Sequence, residues 1–378
     1  EIFEYGKKRA GEIGADKVFD FSIGNPNVPA PAFIKDTITD LVNNEDPVKI
    51  HGYTSAQGDF GVRKALADHI NSKYGTAITA DHFYLTAGAA ASLSICCKAL
   101  ALPGDEFLTF APYFPEYKIY VESAGAALSV IPADTANFQI DLEKFAQAIN
   151  EKTKAVIINS PNNPSGVVYS LETVRKMCLI MEERSIELGR PIYLISDEPY
   201  RELVYGDAEV PFLLNHYDNT FVCYSYSKSL SLPGERIGYV LVSNRMKDGE
   251  DIYAAVCGAG RALGYVCAPS LFQHLIARCV GRTADISIYK RNRDILYSGL
   301  KRMGYECARP DGAFYLFVRA LEPDAVAFCE KAKKHELLLV PGDGFGCPGY
   351  VRISYCVRTD QIEASLPAFE KLAAEYKK

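Results

Sequence analysis

No stretch of this sequence is apolar for long enough to cross a bilayer, which excludes a helical membrane protein. Nor does it carry an excess of basic charge. Its 378 residues hold 41 Lys and Arg against 47 Asp and Glu, a net charge of −6, which argues against a nucleic-acid binder. No secretory signal opens the chain, and it begins at Glu1 rather than methionine, so an N-terminal arm is expected to be missing. Metal-ligand spacing is lacking as well. The six histidines do not gather near the 11 cysteines, and the adjacent Cys96 and Cys97 are not spaced as zinc ligands. An odd number of scattered cysteines does not suit a disulfide framework. Most sit in apolar runs (Cys178, Cys223, Cys267, Cys329, Cys356), as reduced core thiols do in a cytoplasm. There is no internal repeat, no low-complexity linker and no basic helix-turn-helix ahead of Gly24.

What remains is globular, 48% apolar and long enough for two domains. The stretch Ser225-Tyr226-Ser227-Lys228-Ser229-Leu230-Ser231-Leu232-Pro233-Gly234-Glu235-Arg236 organises it. It lies between two apolar runs, Thr220 to Tyr224 and Gly238 to Ser243, that read as buried strands. Burial lowers the pKa of a lysine, and a lysine that can lose its proton can form a Schiff base with a carbonyl. The neighbouring hydroxyls and Arg236 suit an anion such as a phosphate. Read alone, the same residues would also make a surface lysine in a serine-rich turn.

The surrounding pattern alternates strand and helix. Strands are predicted at Phe83–Thr86, Asp105–Phe110, Ala155–Ser160 and from Ile192 into Asp197-Glu198-Pro199-Tyr200. Helices are predicted through Val62, Leu66, Ile70 and Tyr74, ending at Gly75; after Ala87-Gly88-Ala89-Ala90-Ala91; from an Asp141 cap; and over Ser170–Arg184. This order predicts an α/β fold, a mostly parallel central sheet with helices on both faces. Ligands of such sheets gather at the strands' carboxyl ends, where Gly88, Phe114, Asn163, Asp197 and Lys228 all fall. The small turn at Gly88 offers free N–H groups at a helix start. Beyond Pro269 the pattern changes to a smaller α+β unit. There, 270–302 reads as helical with Arg291 and Arg293 on a polar face, Leu337–Val340 as one strand, Tyr350–Cys356 as another, and the C-terminus from Asp360 as a helix.

Five separated motifs agree with one another: Asn163-Pro164-Ser165-Gly166, Asp197-Glu198-Pro199-Tyr200, Ser225-Tyr226-Ser227-Lys228 with Arg236-Ile237-Gly238-Tyr239, Pro310-Asp311-Gly312-Ala313-Phe314-Tyr315, and Arg352-Ile353-Ser354. Together they resemble the class I/II aminotransferases of the fold-type I pyridoxal-phosphate superfamily, over nearly the whole chain from Gly24. The resemblance implies a large cofactor-binding domain over 42–275 and a small domain built from 1–41 and 276–378. It implies pyridoxal 5'-phosphate held by Lys228 as an internal aldimine, with Lys228 then moving the substrate α-proton. Asp197 would pair with the ring nitrogen, Asn163 and Tyr200 with the ring's 3′ oxygen, and Phe114 would stack on the ring. The phosphate would rest on Gly88, Ala89 and Ala90 with Ser225, Arg236 and Tyr53. Tyr53 would come from a neighbouring subunit, so a homodimer is implied. Arg352 would clamp the α-carboxylate of an amino acid or 2-oxo acid, with Gly24 lining that end. Ala90 stands where some relatives carry a lysine for a side-chain carboxylate, and Arg261 is expected at the surface. The expected reaction is transfer of an amino group from an L-amino acid to a 2-oxo acid. A β-lyase acting on cystathionine-like conjugates is the alternative on the same fold, and a non-catalytic ligand sensor a more distant one.

Overall fold

The computed structural model describes residues 2–377. Its centre is a seven-stranded sheet made of β1 (Phe83–Thr86), β2 (Glu106–Phe110), β3 (Ala127–Ile131), β4 (Thr153–Asn159), β5 (Tyr193–Asp197), β6 (Thr220–Ser225) and β7 (Gly238–Val242). The spatial order is β1-β7-β6-β5-β4-β2-β3. The ladder from β3 across to β6 is parallel, and only β7 runs against its two neighbours. Strands β1, β5, β6 and β7 are buried at every residue, which is why their sequences are apolar runs rather than alternations.

Helices complete the sandwich, and their ends are written in the sequence. The Asp141 carboxylate accepts from Lys144 N–H and the Ser170 hydroxyl from Thr173 N–H. The helices Phe60–Tyr74 and Leu171–Leu188 stop at Gly75 and Gly189, both left-handed with φ of 68° and 67°. Because each parallel strand is followed by a crossover, the carboxyl ends of β1, β2, β4, β5 and β6 all open onto one edge of the sheet.

A second sheet is antiparallel, made of β8 (Tyr315–Arg319), β9 (Val340–Pro341) and β10 (Tyr350–Ser354) in the order β9-β10-β8. Its core, with Leu296, Phe314, Leu316, Ile353 and Phe369, also takes in Phe21 from the start of the chain. Phe19–Asp20 pairs in parallel with Leu337–Leu338, which ties the N-terminal segment to the C-terminal unit.

The structure departs from the sequence reading in three places here. The helical stretch 270–302 is two helices, Ser270–Arg278 and Ser287–Met303, separated by a turn in which Gly281 has φ +76°. Leu337–Val340 is not one strand, since Leu337–Leu338 and Val340–Pro341 join different sheets. Arg293 does not lie on a polar face. It is buried over the Tyr205 ring at 4.6 Å and donates to Pro310 O at 3.1 Å, while Arg291 alone is exposed and faces Glu363. A helical period cannot distinguish a solvated arginine from one that anchors a neighbouring loop.

Candidate active site

The strand ends converge on a cavity of about 380 Å³. Eleven of the thirteen candidate residues line it: Gly24, Ala89, Ala90, Phe114, Asn163, Asp197, Tyr200, Ser225, Lys228, Arg236 and Arg352; Gly88 lies directly behind Arg236. Tyr53 is not brought there. It stands 98% exposed on the surface of the chain. A larger open depression of about 640 Å³ lies beside Thr135, Glu306, Arg319 and Tyr350, but its arginine is already paired with Glu306.

Lys228 sits in the short helix Tyr226–Ser229 that follows β6, and its Nζ donates to Gly24 O at 2.6 Å. Burial lowers its pKa to about 8; Arg236 and Arg352 push the same way, and the nearby Cys356 opposes them. A neutral amine is therefore accessible near neutrality. Asp197 ends β5 and is 4% exposed. Burial raises its pKa to about 7, opposed by a hydrogen bond from Tyr117 and reinforced by Glu198. Tyr117 Oη donates to Oδ2 at 2.6 Å, whereas Oδ1 is buried without a partner. A buried carboxylate oxygen in that position suits a cationic N–H donor.

The loop after β4 is held by its own amides. Asn159 Nδ2 donates to Asp197 O at 2.8 Å, and its Oδ1 accepts from Asn163 N–H at 2.7 Å. Asn163 Oδ1 then accepts from Arg352 Nη1 at 3.1 Å, while Arg352 Nη2 donates to Ser22 O at 2.6 Å. The guanidinium lies 4.9 Å from the ring centres of both Tyr315 and Phe345, and its Nε is buried and unpartnered. Arg352 is thus a fixed cation with a spare donor. Tyr200 and Tyr315 share a hydroxyl hydrogen bond of 2.8 Å.

At the other end, the helix Ala89–Leu100 begins at Gly88 with no side-chain cap, so its first N–H groups are free. A Cβ on Gly88, whose φ is +85°, would fall 2.8 Å from Arg236 Nη2. Only glycine lets the guanidinium approach the helix start so closely. With the Ser225 and Ser227 hydroxyls, bonded to each other at 2.7 Å, this forms an anion cradle. The residues present therefore fit pyridoxal phosphate: a Schiff-base amine, an unpaired buried carboxylate for the ring nitrogen, a phosphate cradle and an aromatic wall.

Tyr117, Asn159, Tyr315 and Tyr120 belong to the site although the sequence reading assigned them no role. Tyr117 lies three residues beyond Phe114, a spacing that suits a core aromatic equally well. Tyr315 was quoted within a motif without a function, and nothing local distinguishes Asn159 or Tyr120. Arg261 is exposed at the end of the helix Gly249–Ala262, outside the cavity. All 11 cysteines are free thiols, no His/Cys/Asp/Glu cluster among the described residues could hold a metal, and none of the described helices is long and apolar enough to cross a membrane.

Fold and cavity together define the class, a fold-type I pyridoxal-phosphate enzyme. Within it, the chain belongs to the class I and II aminotransferases, whose family model matches residues 16–369. It is similar to an aspartate aminotransferase of Thermotoga maritima, 31% identical over 94% of this chain and 91% of that protein. The crystal structure of an aminotransferase from Eubacterium rectale superposes with a TM-score of 0.98 at 61% identity, covering 100% of this chain and 95% of that one. The Thermotoga aspartate aminotransferase structure gives a TM-score of 0.87 at 30% identity, over 98% and 95% of the two chains. The protein is an enzyme that transfers an amino group from an L-amino acid to a 2-oxo acid. The named relatives are aminotransferases, and none supports the lyase or sensor alternatives.

Proposed function

We propose that Lys228 is the catalytic amine and that the residues around it divide the remaining work. Bound in this cavity, pyridoxal phosphate supplies an electron sink for the Cα–H bond and carries the amino group between the two half-reactions. Lys228 Nζ takes the proton from the substrate's Cα, and its lowered pKa makes it a competent base near neutral pH. Asp197 would hold the ring nitrogen with its unpartnered Oδ1. Asn163 and Tyr200 would hold the ring's 3′ oxygen, and Phe114 would cover one face. Ala89, Ala90, Ser225 and Arg236, with the Gly88 turn, hold the phosphate. Arg352 orients the α-carboxylate with its free Nε and forked N–H groups, beside Gly24.

The observation that carries this reading is the pairing of the unpartnered Asp197 Oδ1 with the Lys228 amine in one cavity. Replacing Lys228→Ala tests it. The variant is expected to lose both the yellow absorbance of the loaded enzyme and all turnover. Normal rates in that variant would end the assignment.

Three further features extend the proposal. Tyr53 reaches the phosphate of a second copy, so the working unit is a homodimer. The exposed apolar side chains Val48, Tyr53 and Phe60, near the same loop, support that interface. The chain divides into a large domain, 42–275, and a small domain, 1–41 with 276–378, consistent with the separate core around Phe21, Phe314 and Phe369. Free thiols, most of them buried, favour a cytoplasmic enzyme.

A further inference from the structure

We propose that Tyr120 is a further cofactor-binding residue: its phenol donates to the phosphate of pyridoxal phosphate and adds a neutral donor to the anion cradle. The inference rests on the reading of that cradle given above and deepens it.

A phosphate monoester carries about two negative charges at neutral pH and offers three acceptor oxygens. The donors already assigned to it are partly engaged elsewhere. Arg236 lies against the Gly88 turn, but its Nη1 donates to Pro233 O at 3.0 Å. The Ser225 hydroxyl is bonded to that of Ser227 and accepts from Ser227 N–H at 3.2 Å. The helix start contributes N–H groups and only a partial charge. A doubly charged group held there is stabilised by every further donor that faces it.

Tyr120 is such a donor. It lies in the second turn of the helix Glu116–Ser123, which exposes Lys118 and Ile119 and turns Tyr117, Tyr120 and Val121 inward. Its half-buried ring packs against the core that holds Leu93 and Val121. Its side chain lines the cavity beside Ala89, Ala90 and Leu93, on the helix whose start forms the cradle. The groups that face the phenol are Glu116, Asp197, Tyr265 and Arg236, and among the described residues none hydrogen-bonds it. Asp197 has its own donor in Tyr117, whereas Arg236 marks the phosphate end of the cavity. Burial, with the charges of Glu116 and Asp197, holds the phenol's pKa above its ordinary value against the opposing Arg236. It therefore keeps its proton at working pH and can donate without adding charge. A tyrosine with its ring in the core and its hydroxyl at a polar cavity calls for an acceptor there, and the phosphate is the acceptor this end is built to hold.

The test compares binding of two probes to the full chain freed of cofactor, followed by absorbance titration: pyridoxal phosphate, and pyridoxal, which has the same ring and aldehyde but no phosphate. Wild type is expected to bind pyridoxal phosphate far more tightly. In Tyr120→Phe, which keeps the ring and removes the hydroxyl, that preference is expected to fall by about tenfold, as for a lost hydrogen bond to a charged group, with pyridoxal affinity little changed. Tyr120→Met fills the space with an adaptable side chain that donates nothing; it is expected to show the same loss and serves if the Phe variant does not fold. Affinity lost equally for both probes would show a packing role alone and overturn the proposal, as would an unchanged preference in a folded variant. A wild type that binds the two probes alike would instead overturn the cradle reading itself, and this proposal with it.

Discussion

At the scale of single residues, the site depends on two groups whose ordinary protonation is displaced toward neutrality in opposite directions. Burial lowers Lys228 to about 8 and raises Asp197 to about 7. The causes are the same, since low-dielectric surroundings disfavour either charge, but the outcomes differ in use. For the lysine, the neutral form is the reactive one. Below its shifted pKa the amine is protonated and cannot attack a carbonyl; above it, the amine is free. The rate at which cofactor-free enzyme captures pyridoxal phosphate is therefore expected to climb with pH up to about 8 and to flatten above it. Stopped-flow absorbance would follow this. A rate that continued to climb toward the ordinary lysine range would show that the amine is solvated. For the aspartate, a cation at Oδ1 would return the group to its charged form, which is the arrangement that an unpartnered buried oxygen calls for. Lys228, Asp197, Asn163 and Arg352 were recognisable from their motifs. Tyr117 was not, because a tyrosine after an aromatic loop is as readily a core residue, and only its 2.6 Å bond distinguishes it.

At the scale of elements, the loops after β4 and before β8 form one joint. Gly166, with φ +72°, accepts at its carbonyl from Asp311 N–H and Gly312 N–H at 3.0 and 2.9 Å. A Cβ at Gly166 would meet Pro310 and Tyr315 O, the latter at 2.6 Å. This ties the Asn163 loop to the strand that carries Tyr315. Gly166→Ala combines a disfavoured left-handed backbone with an overlap against main chain, and is expected to cost about 2–4 kcal/mol. The melting temperature should fall and the KM for amino acid should rise, since Arg352 and Asn163 meet across the same joint. An unchanged melting temperature would mean that the two loops are not rigidly joined. Element types were largely legible in advance where periodicity and caps coincided, as at Asp141 and Gly75. They were not at Ala127–Ile131, an edge strand of mixed exposure, nor at Leu337–Val340, where two sheets divide four residues between them. Strand pairing is a choice among partners, and local sequence does not encode the partner.

At the scale of the whole molecule, the proposed homodimer turns on Tyr53. It is solvated in the single chain, whereas the proposal places its hydroxyl at the phosphate of a second copy. A hybrid dimer made of one Lys228→Ala chain and one Tyr53→Phe chain tests the crossing. Only one of its two sites retains the lysine. If Tyr53 serves the opposite subunit, that site receives an intact tyrosine from the Lys228→Ala chain and binds cofactor as wild type does. If it serves its own chain, the surviving site binds about tenfold more weakly, as a lost charge-assisted hydrogen bond would cost. Fluorescence titration of the hybrid, against the Tyr53→Phe homodimer, distinguishes the two.

The sequence by itself determined the family and the cofactor and marked Lys228 as the candidate amine, because those reside in short motifs whose order survives without coordinates. It also determined the parallel sheet, since strands buried on both faces leave continuous apolar runs. Only the tertiary structure decided which groups are partnered. It joined Tyr117 to Asp197, left Oδ1 open, set Arg352 on Asn163 and Ser22, and buried Arg293. Hydrogen bonds between residues 80 or more positions apart follow from how the layers pack, and packing is a property of the assembled chain that no local pattern carries.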